Sequence, residues 1–143
     1  MTTFLDSSAI VTLYVQEPGR SPELGGALAV SELARVEVPA ALWRKHRLGE
    51  VDRDLCAVLV AAFEADYFGT TREAPRFSAV AATGTVLDEA ARLCEEHGLR
   101  AYDAVQLASA LAARRADPQC STMAVYDNTL RDAAQAEGFR LVP

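Results

Sequence analysis

The sequence predicts one α/β domain over residues 1–143: a central, mostly parallel sheet of four to five short strands, flanked by helices on both faces. Three observations predict it. Short apolar runs alternate with helix-length segments, the pattern of a sheet buried on both sides. A length of 143 residues suits one domain with a substantial core. Half the residues are hydrophobic, a quarter are charged, and no linker, repeat or low-complexity stretch divides the chain.

Thr3-Phe4-Leu5 reads as a first strand that ends in Asp6. Ser7 or Ser8 then caps a helix carrying Ile10, Val11, Leu13, Tyr14 and Val15, which ends near Pro18-Gly19. A loop or short helix around Ser21-Pro22-Glu23 leads to a second strand, Ala27 to Val30. Ser31 caps a helix that reaches about Leu48 and stops at Gly49; Pro39 loosens it, because proline cannot donate to the carbonyl of Arg35. Asp52 to Tyr67 is amphipathic, and Phe68 to Pro75 reads as a mobile connection. Phe77 to Val80 is a third strand, followed by a helix from about Thr85 to His97 with Gly98 at its end. Ala101 to Arg115 contains nothing that breaks a helix. Thr122 to Tyr126 forms a strand ending in Asp127, Asn128 to Glu137 a last helix stopped by Gly138, and Phe139 to Val142 a last strand.

Composition excludes several classes. The longest apolar stretch, Cys56 to Phe63, is far below the roughly 20 residues that span a bilayer. The N-terminus has no basic region and meets Asp6 at once, so no signal peptide and a cytoplasmic protein are expected. Cys56, Cys94 and Cys120 lack CxxC spacing, which argues against zinc and disulfides and for three reduced thiols in or near the core. The net charge of −6 runs against nucleic-acid binding. That charge is an average over the surface, and acids that hold metal ions reverse their own local field.

Four acids stand out. Ligands of open parallel sheets bind at the carboxyl ends of the strands, where Asp6 and Asp127 emerge. Asp103 lies in a first helical turn, on the inward stripe of Gln106, Leu107 and Ala110. Glu37 sits between Val36 and Val38. Singly, each has an ordinary explanation: Asp6 and Asp127 as helix caps, Asp103 as a partner of the helix dipole, Glu37 as a solvated residue. Together they repel one another unless a cation joins them. Hard oxygen ligands without Cys or His suit Mg2+ or Mn2+.

These residues resemble PIN-domain ribonucleases. Leu5-Asp6-Ser7-Ser8-Ala9-Ile10-Val11 resembles their opening motif, and Ser31-Glu32-Leu33-Ala34-Arg35-Val36-Glu37 their second. Tyr102-Asp103-Ala104-Val105-Gln106-Leu107-Ala108-Ser109-Ala110 is similar to the third. Val125-Tyr126-Asp127-Asn128-Thr129-Leu130, with Ala133-Ala134 and Gly138 beyond, is similar to the fourth. The resemblance spans nearly the whole chain and points to the VapC branch, toxins of type II toxin–antitoxin pairs. It implies that Asp6, Glu37, Asp103 and Asp127 are catalytic and bind the metal, Glu37 directly or through water. Many relatives carry Thr or Ser where this chain has Val125, so Ser7 or Ser8 is the candidate for a hydroxyl contact behind the metal. It further implies an RNA substrate, a VapB-like antitoxin that obstructs the site, and homodimerisation. The helix faces from Ser31 and Asp52 are the candidate partner surfaces.

The expected chemistry is phosphodiester hydrolysis with one metal ion or two. Between Arg35 and Arg53 lie five basic residues (Arg35, Arg44, Lys45, Arg47, Arg53) against three acidic ones. Arg44, about two turns beyond Glu37, lies on roughly the same face, so Arg44, Lys45 and Ser7 are the candidates for holding substrate. Trp43 and Tyr67 are candidates for base stacking, with core or dimer packing the ordinary reading of Trp43. Arg72 and Arg76 are weaker candidates for RNA contact. His46 and His97 read as solvated surface residues rather than bases. Three other functions are weighed. An aspartyl-phosphate enzyme lacks its lysine, since Lys45 sits in an arginine-rich helix, and its second acid, since position 8 is Ser. A stand-alone ribonuclease of RNA processing differs from a toxin by the absence of a small upstream gene. A non-catalytic acidic module is opposed by intact acids at all four positions.

Overall fold

Five short parallel strands make the middle layer. The elements are β1 (Thr2–Leu5), α1 (Ser7–Val11), β2 (Ala27–Ser31), α2 (Ala34–Arg47), α3 (Arg53–Phe68), β3 (Phe77–Val80), α4 (Gly84–His97), α5 (Ala101–Ala116), β4 (Cys120–Ala124), α6 (Asn128–Ala136) and β5 (Arg140–Leu141). The structure, a computed structural model, describes residues 1–20 and 23–142. Ser21 and Pro22 of the expected loop or short helix therefore lie outside the described residues.

The strand order is β3-β2-β1-β4-β5, and every neighbouring pair runs parallel. Chain order reverses across β1, between β2 and β4, and that reversal opens a crevice at the carboxyl edge. The strands bury both faces. Phe4, Ala29 and Met123 enter one core with α4, α5 and α6, while Leu5, Val30 and Ala124 enter a second core with α1, α2 and α3. Successive side chains thus alternate between two apolar layers, and the strands read as unbroken apolar runs.

The helices follow from their own residues. Val86, Ala90 and Leu93 form the buried stripe of α4, whose Thr83 cap accepts from the Val86 N–H at 3.3 Å. Gly98 ends α4 at φ 65°, a left-handed value that an L side chain disfavours. In α5 every residue from Ala104 to Leu111 is buried, and small Ala and Ser side chains let the sheet, α4 and α6 approach it closely. Asp52 caps α3 by accepting from the Leu55 N–H at 2.8 Å.

Several boundaries differ from expectation. The first helix stops at Val11 rather than near Pro18; bonds from Leu13 to Ile10 and from Tyr14 to Val11 tighten the chain there. Tyr14 then donates to Asp66 Oδ2 at 2.5 Å and packs edge-on against Phe63. Ser31 is the last residue of β2, not a cap adjoining its helix, and its Oγ accepts from the Leu33 N–H at 3.1 Å before α2 begins. The expected strand up to Tyr126 ends at Ala124, because its partner β1 ends at Leu5. The connection expected to be mobile contains a turn in which Thr70 Oγ1 accepts from the N–H groups of Arg72 and Glu73. Among the described residues no helix is long and apolar enough to cross a membrane.

Candidate active site

The crevice beside β1 gathers the four acids. Asp6 continues the β1–β4 ladder, its N–H donating to the Ala124 carbonyl at 3.0 Å, which fixes its side chain at the lip of the sheet. It is only 6% exposed, and Oδ2 accepts from Ser8 Oγ at 2.6 Å. Burial pushes its carboxyl above the usual range; the Ser8 bond offsets part of this, and the charge of Asp103 adds to it.

Glu37 reaches the same place from the first turn of α2. Its Oε1 accepts from Gln106 Nε2 at 2.9 Å. Burial, reinforced by the charges of Asp6 and Asp103, pushes its pKa up to about 7, against the hydrogen bonds from Gln106 and Ser7. Asp103, in the first turn of α5, is raised first by burial and then by Asp127, with Arg100 opposing. Asp127 is exposed and caps α6, its Oδ2 accepting from the Leu130 N–H at 2.9 Å. The capping explanation therefore describes Asp127 correctly, but the charge of Asp127 also raises Asp103.

The four carboxylates thus form a coupled chain from Glu37 through Asp6 and Asp103 to Asp127. Among the described residues none of them forms an ion pair with Lys, Arg or His. Charges crowded without a counter-ion are costly, and an all-oxygen donor set suits a hard divalent cation. The residues fit such an ion. No three of the four carboxylates lie within 4.8 Å of one another, a spacing that Glu96, His97 and Glu137 reach at the ends of α4 and α6. Asp6, Glu37 and Asp127 turn instead to the nearby donors Ser8, Gln106 and Leu130.

No family model matches the chain. Over 147 aligned residues it is 37% identical to two proteins of Mycobacterium tuberculosis, ribonuclease VapC45 of strain CDC 1551/Oshkosh and ribonuclease VapC49 of strain H37Rv. The alignment covers 98% of this chain and 94% of each relative. The chain belongs to the VapC family of PIN-domain ribonucleases. The crystal structure of PAE2754 from Pyrobaculum aerophilum shares the fold, with a TM-score of 0.63 at 21% identity, over 99% of this chain and 89% of that one.

Other candidates of this VapC-family chain fall into different surroundings. Ser7 is buried behind the acids, and its Oγ accepts from Gln106 Nε2 at 3.1 Å. Exposed Arg44 lines a groove of about 310 Å³ with Ser8, Arg20 and Lys45. Lys45 is already engaged, 2.8 Å from Glu17 and 3.4 Å from Glu50. Tyr67 is no stacking platform: it is 9% exposed and packs against Phe63 and Phe68 in the α3 core. Trp43 packs against the same core, edge-on to His46, with the Arg53 guanidinium over its ring. Arg76 lies 3.6 Å from Asp66, and Arg72 is exposed. The histidines are not solvated surface residues: His46 Nδ1 meets the Val51 carbonyl at 3.0 Å, and His97 Nε2 meets Glu137 at 3.1 Å. Val125 is fully buried in the core, while its carbonyl accepts from Arg131 at 2.6 Å. The cysteines are free, two of them buried.

Gln106 is a site residue to which the sequence reading assigned no role, although it lies on the inward stripe and within the third motif. It is 1% exposed, one turn beyond Asp103, and its amide nitrogen links Ser7 to Glu37 while its Oε1 has no partner within the protein. A buried amide among Ala, Val, Leu and a single Ser was the available signal. Gln106→Leu removes the donor from Glu37 and keeps the volume, so Mn2+ affinity and RNA cleavage at pH 7 should each fall about tenfold. Raising the pH to 8.5 should recover most of the loss. Unchanged Mn2+ affinity would assign Gln106 to packing alone.

Proposed function

We propose that this chain is a Mg2+- or Mn2+-dependent endoribonuclease that hydrolyses RNA phosphodiester bonds as the toxin of a toxin–antitoxin pair. The observation that carries the reading is the coupled chain of four carboxylates at the switch point of the sheet, three of them raised by burial and by one another. In this reading Asp6, Asp103 and Asp127 hold the cation, and Glu37 holds it directly or through a water. When bound there, the ion supplies Lewis acidity: it lowers the pKa of a water and offsets charge on the phosphoryl oxygens.

The remaining work belongs to the protein. Ser8 and Gln106 orient Asp6 and Glu37 through the hydrogen bonds described. Without the ion, Glu37, its pKa pushed up to about 7, keeps its proton to near-neutral pH, and the cation must displace that proton to bind. Ser8 also lines the groove that leads to Arg44, which gives a neighbouring phosphate a charged contact despite the overall net charge of −6. Arg44→Ala should raise KM for a single-stranded RNA about three- to tenfold and flatten the salt dependence by roughly one phosphate contact. An unchanged salt slope would remove Arg44 from the RNA path.

Family membership also supports a VapB-like antitoxin as partner, with homodimerisation through the surface of α2 and α3, where Leu48, Leu55 and Val58 are exposed. The deciding experiment maps cut sites in total RNA with Mg2+, with Mn2+ and with EDTA. Cuts that vanish with EDTA are expected. Cuts that persist in EDTA, or no cuts with either metal, would refute the reading. A small gene immediately upstream, whose product blocks cleavage, separates the toxin from a stand-alone ribonuclease.

A further inference from the structure

We propose that Tyr102, with the shallow apolar recess it shares with Val36 and Ala40, holds one unpaired RNA base beside the phosphate that is cut. This rests on the ribonuclease reading above and adds to it a specificity-determining residue. Tyr102 is 65% exposed and Val36 66%, although both are large and apolar over most of their surface. With Leu33, Ala40 and Glu37 they line a recess of about 230 Å³ between α2 and the start of α5.

Position makes this patch more than a stray apolar surface. Glu37 is both a wall of the recess and one of the four acids, and Tyr102 immediately precedes Asp103. An RNA strand with a phosphate at the acids therefore brings a neighbouring base to this wall. Exposed Arg100 lies two residues before Tyr102, close enough for its charge to act on Asp103. Exposed Arg35, adjoining Val36, places its guanidinium over the Phe68 ring at 4.9 Å. Cations that track a backbone beside an aromatic face that receives bases are the ingredients of single-strand recognition.

The recess also states what kind of reading it performs. Glu37 is its one charged side chain, and the Oε1 of that residue is committed to Gln106. Besides the Tyr102 hydroxyl and Glu37 Oε2 the side chains of the recess are apolar, so stacking area outweighs base-edge hydrogen bonding, which favours purines over pyrimidines at that position.

The test uses a single-stranded oligoribonucleotide of about 12 nucleotides centred on a mapped cut, together with versions carrying one abasic ribose at each of the two positions on either side. Tyr102→Ala should lower kcat/KM by about ten- to a hundredfold, the range of one lost base stack, whereas Tyr102→Trp should stay within about threefold of the wild type. One of the abasic RNAs should cost the wild type a similar factor and cost Tyr102→Ala almost nothing more. Melting temperature and Mn2+ affinity should be unchanged in both variants. Normal cleavage by Tyr102→Ala overturns the proposal, as does a loss that adds fully to that of every abasic RNA. So does a parallel loss of Mn2+ affinity, which would mean that Tyr102 only props Asp103. Normal cleavage combined with escape from an inhibitory protein partner would give the face to that partner instead. A wild-type chain that cuts no RNA removes the parent reading, and this proposal with it.

Discussion

Asp6→Asn and Asp103→Asn should each lower metal-dependent RNA cleavage by about a thousandfold while raising the melting temperature of the metal-free protein at pH 8. The two effects come from the same charge. Both carboxyls are raised by burial, and Asp103 also by its neighbour Asp127, so ionising them in the folded chain costs more than ionising them in the unfolded one. Asparagine keeps the shape and removes that cost. Each pKa unit so relieved is worth about 1.4 kcal/mol, or roughly 5 °C in a domain of this size. Asp127→Asn makes the control. Asp127 is exposed and caps α6, and Asn caps nearly as well, so cleavage should collapse with only the smaller gain in melting temperature that comes from relieving Asp103 of its neighbour's charge. Acids that only build the fold would lose stability along with activity. Cleavage that survives Asp6→Asn or Asp103→Asn would end the mechanism.

The burial behind the gain in melting temperature also makes these acids stand out in the sequence. A strand buried on both faces shows itself as an apolar run, so a charge at its end stands out, as Asp6 does after Leu5. Glu37 stands out for a similar reason, between Val36 and Val38 on a helix. Local sequence carries that information. It does not carry the partner of each strand, and β4 stops at Ala124 only because β1, more than a hundred residues earlier, stops at Leu5. The ion pair of Lys45 with Glu17 is equally non-local, and it engages a cation that sequence reasoning had left for RNA. Tyr67 and Tyr102 illustrate the same limit from opposite sides. Both are aromatic residues near helix ends, yet Tyr67 turns from α3 into the core and Tyr102 stands in solvent next to the acids. Gln106 was hidden because periodicity marks which face turns inward, not whether an amide on that face meets an acid from another helix.

The protonation of Glu37 should make metal binding and metal-free stability respond to pH in opposite directions. Its pKa rises from the ordinary 4.5 to about 7 in the folded chain, chiefly through burial. Between those values the folded state keeps a proton that the unfolded state has lost, so metal-free stability falls as pH rises through this window and levels off above about 7. Asp6 and Asp103, raised as well, contribute with the same sign. A cation held by these oxygens must displace the proton, so its affinity runs the other way, falling up to tenfold per pH unit below 7 for each proton displaced. From Glu37 alone, Mn2+ binding at pH 5 should be about fiftyfold weaker than at pH 7. Calorimetric Mn2+ titrations between pH 5 and 8 measure this, and Glu37→Gln should reduce the slope of log affinity against pH by about one proton. Melting curves give the second arm: added Mn2+ should stabilise the wild type far more at pH 8 than at pH 5.5. A Glu37→Gln slope identical to that of the wild type would detach Glu37 from the metal and leave Asp6, Asp103 and Asp127 to hold it without this fourth carboxylate.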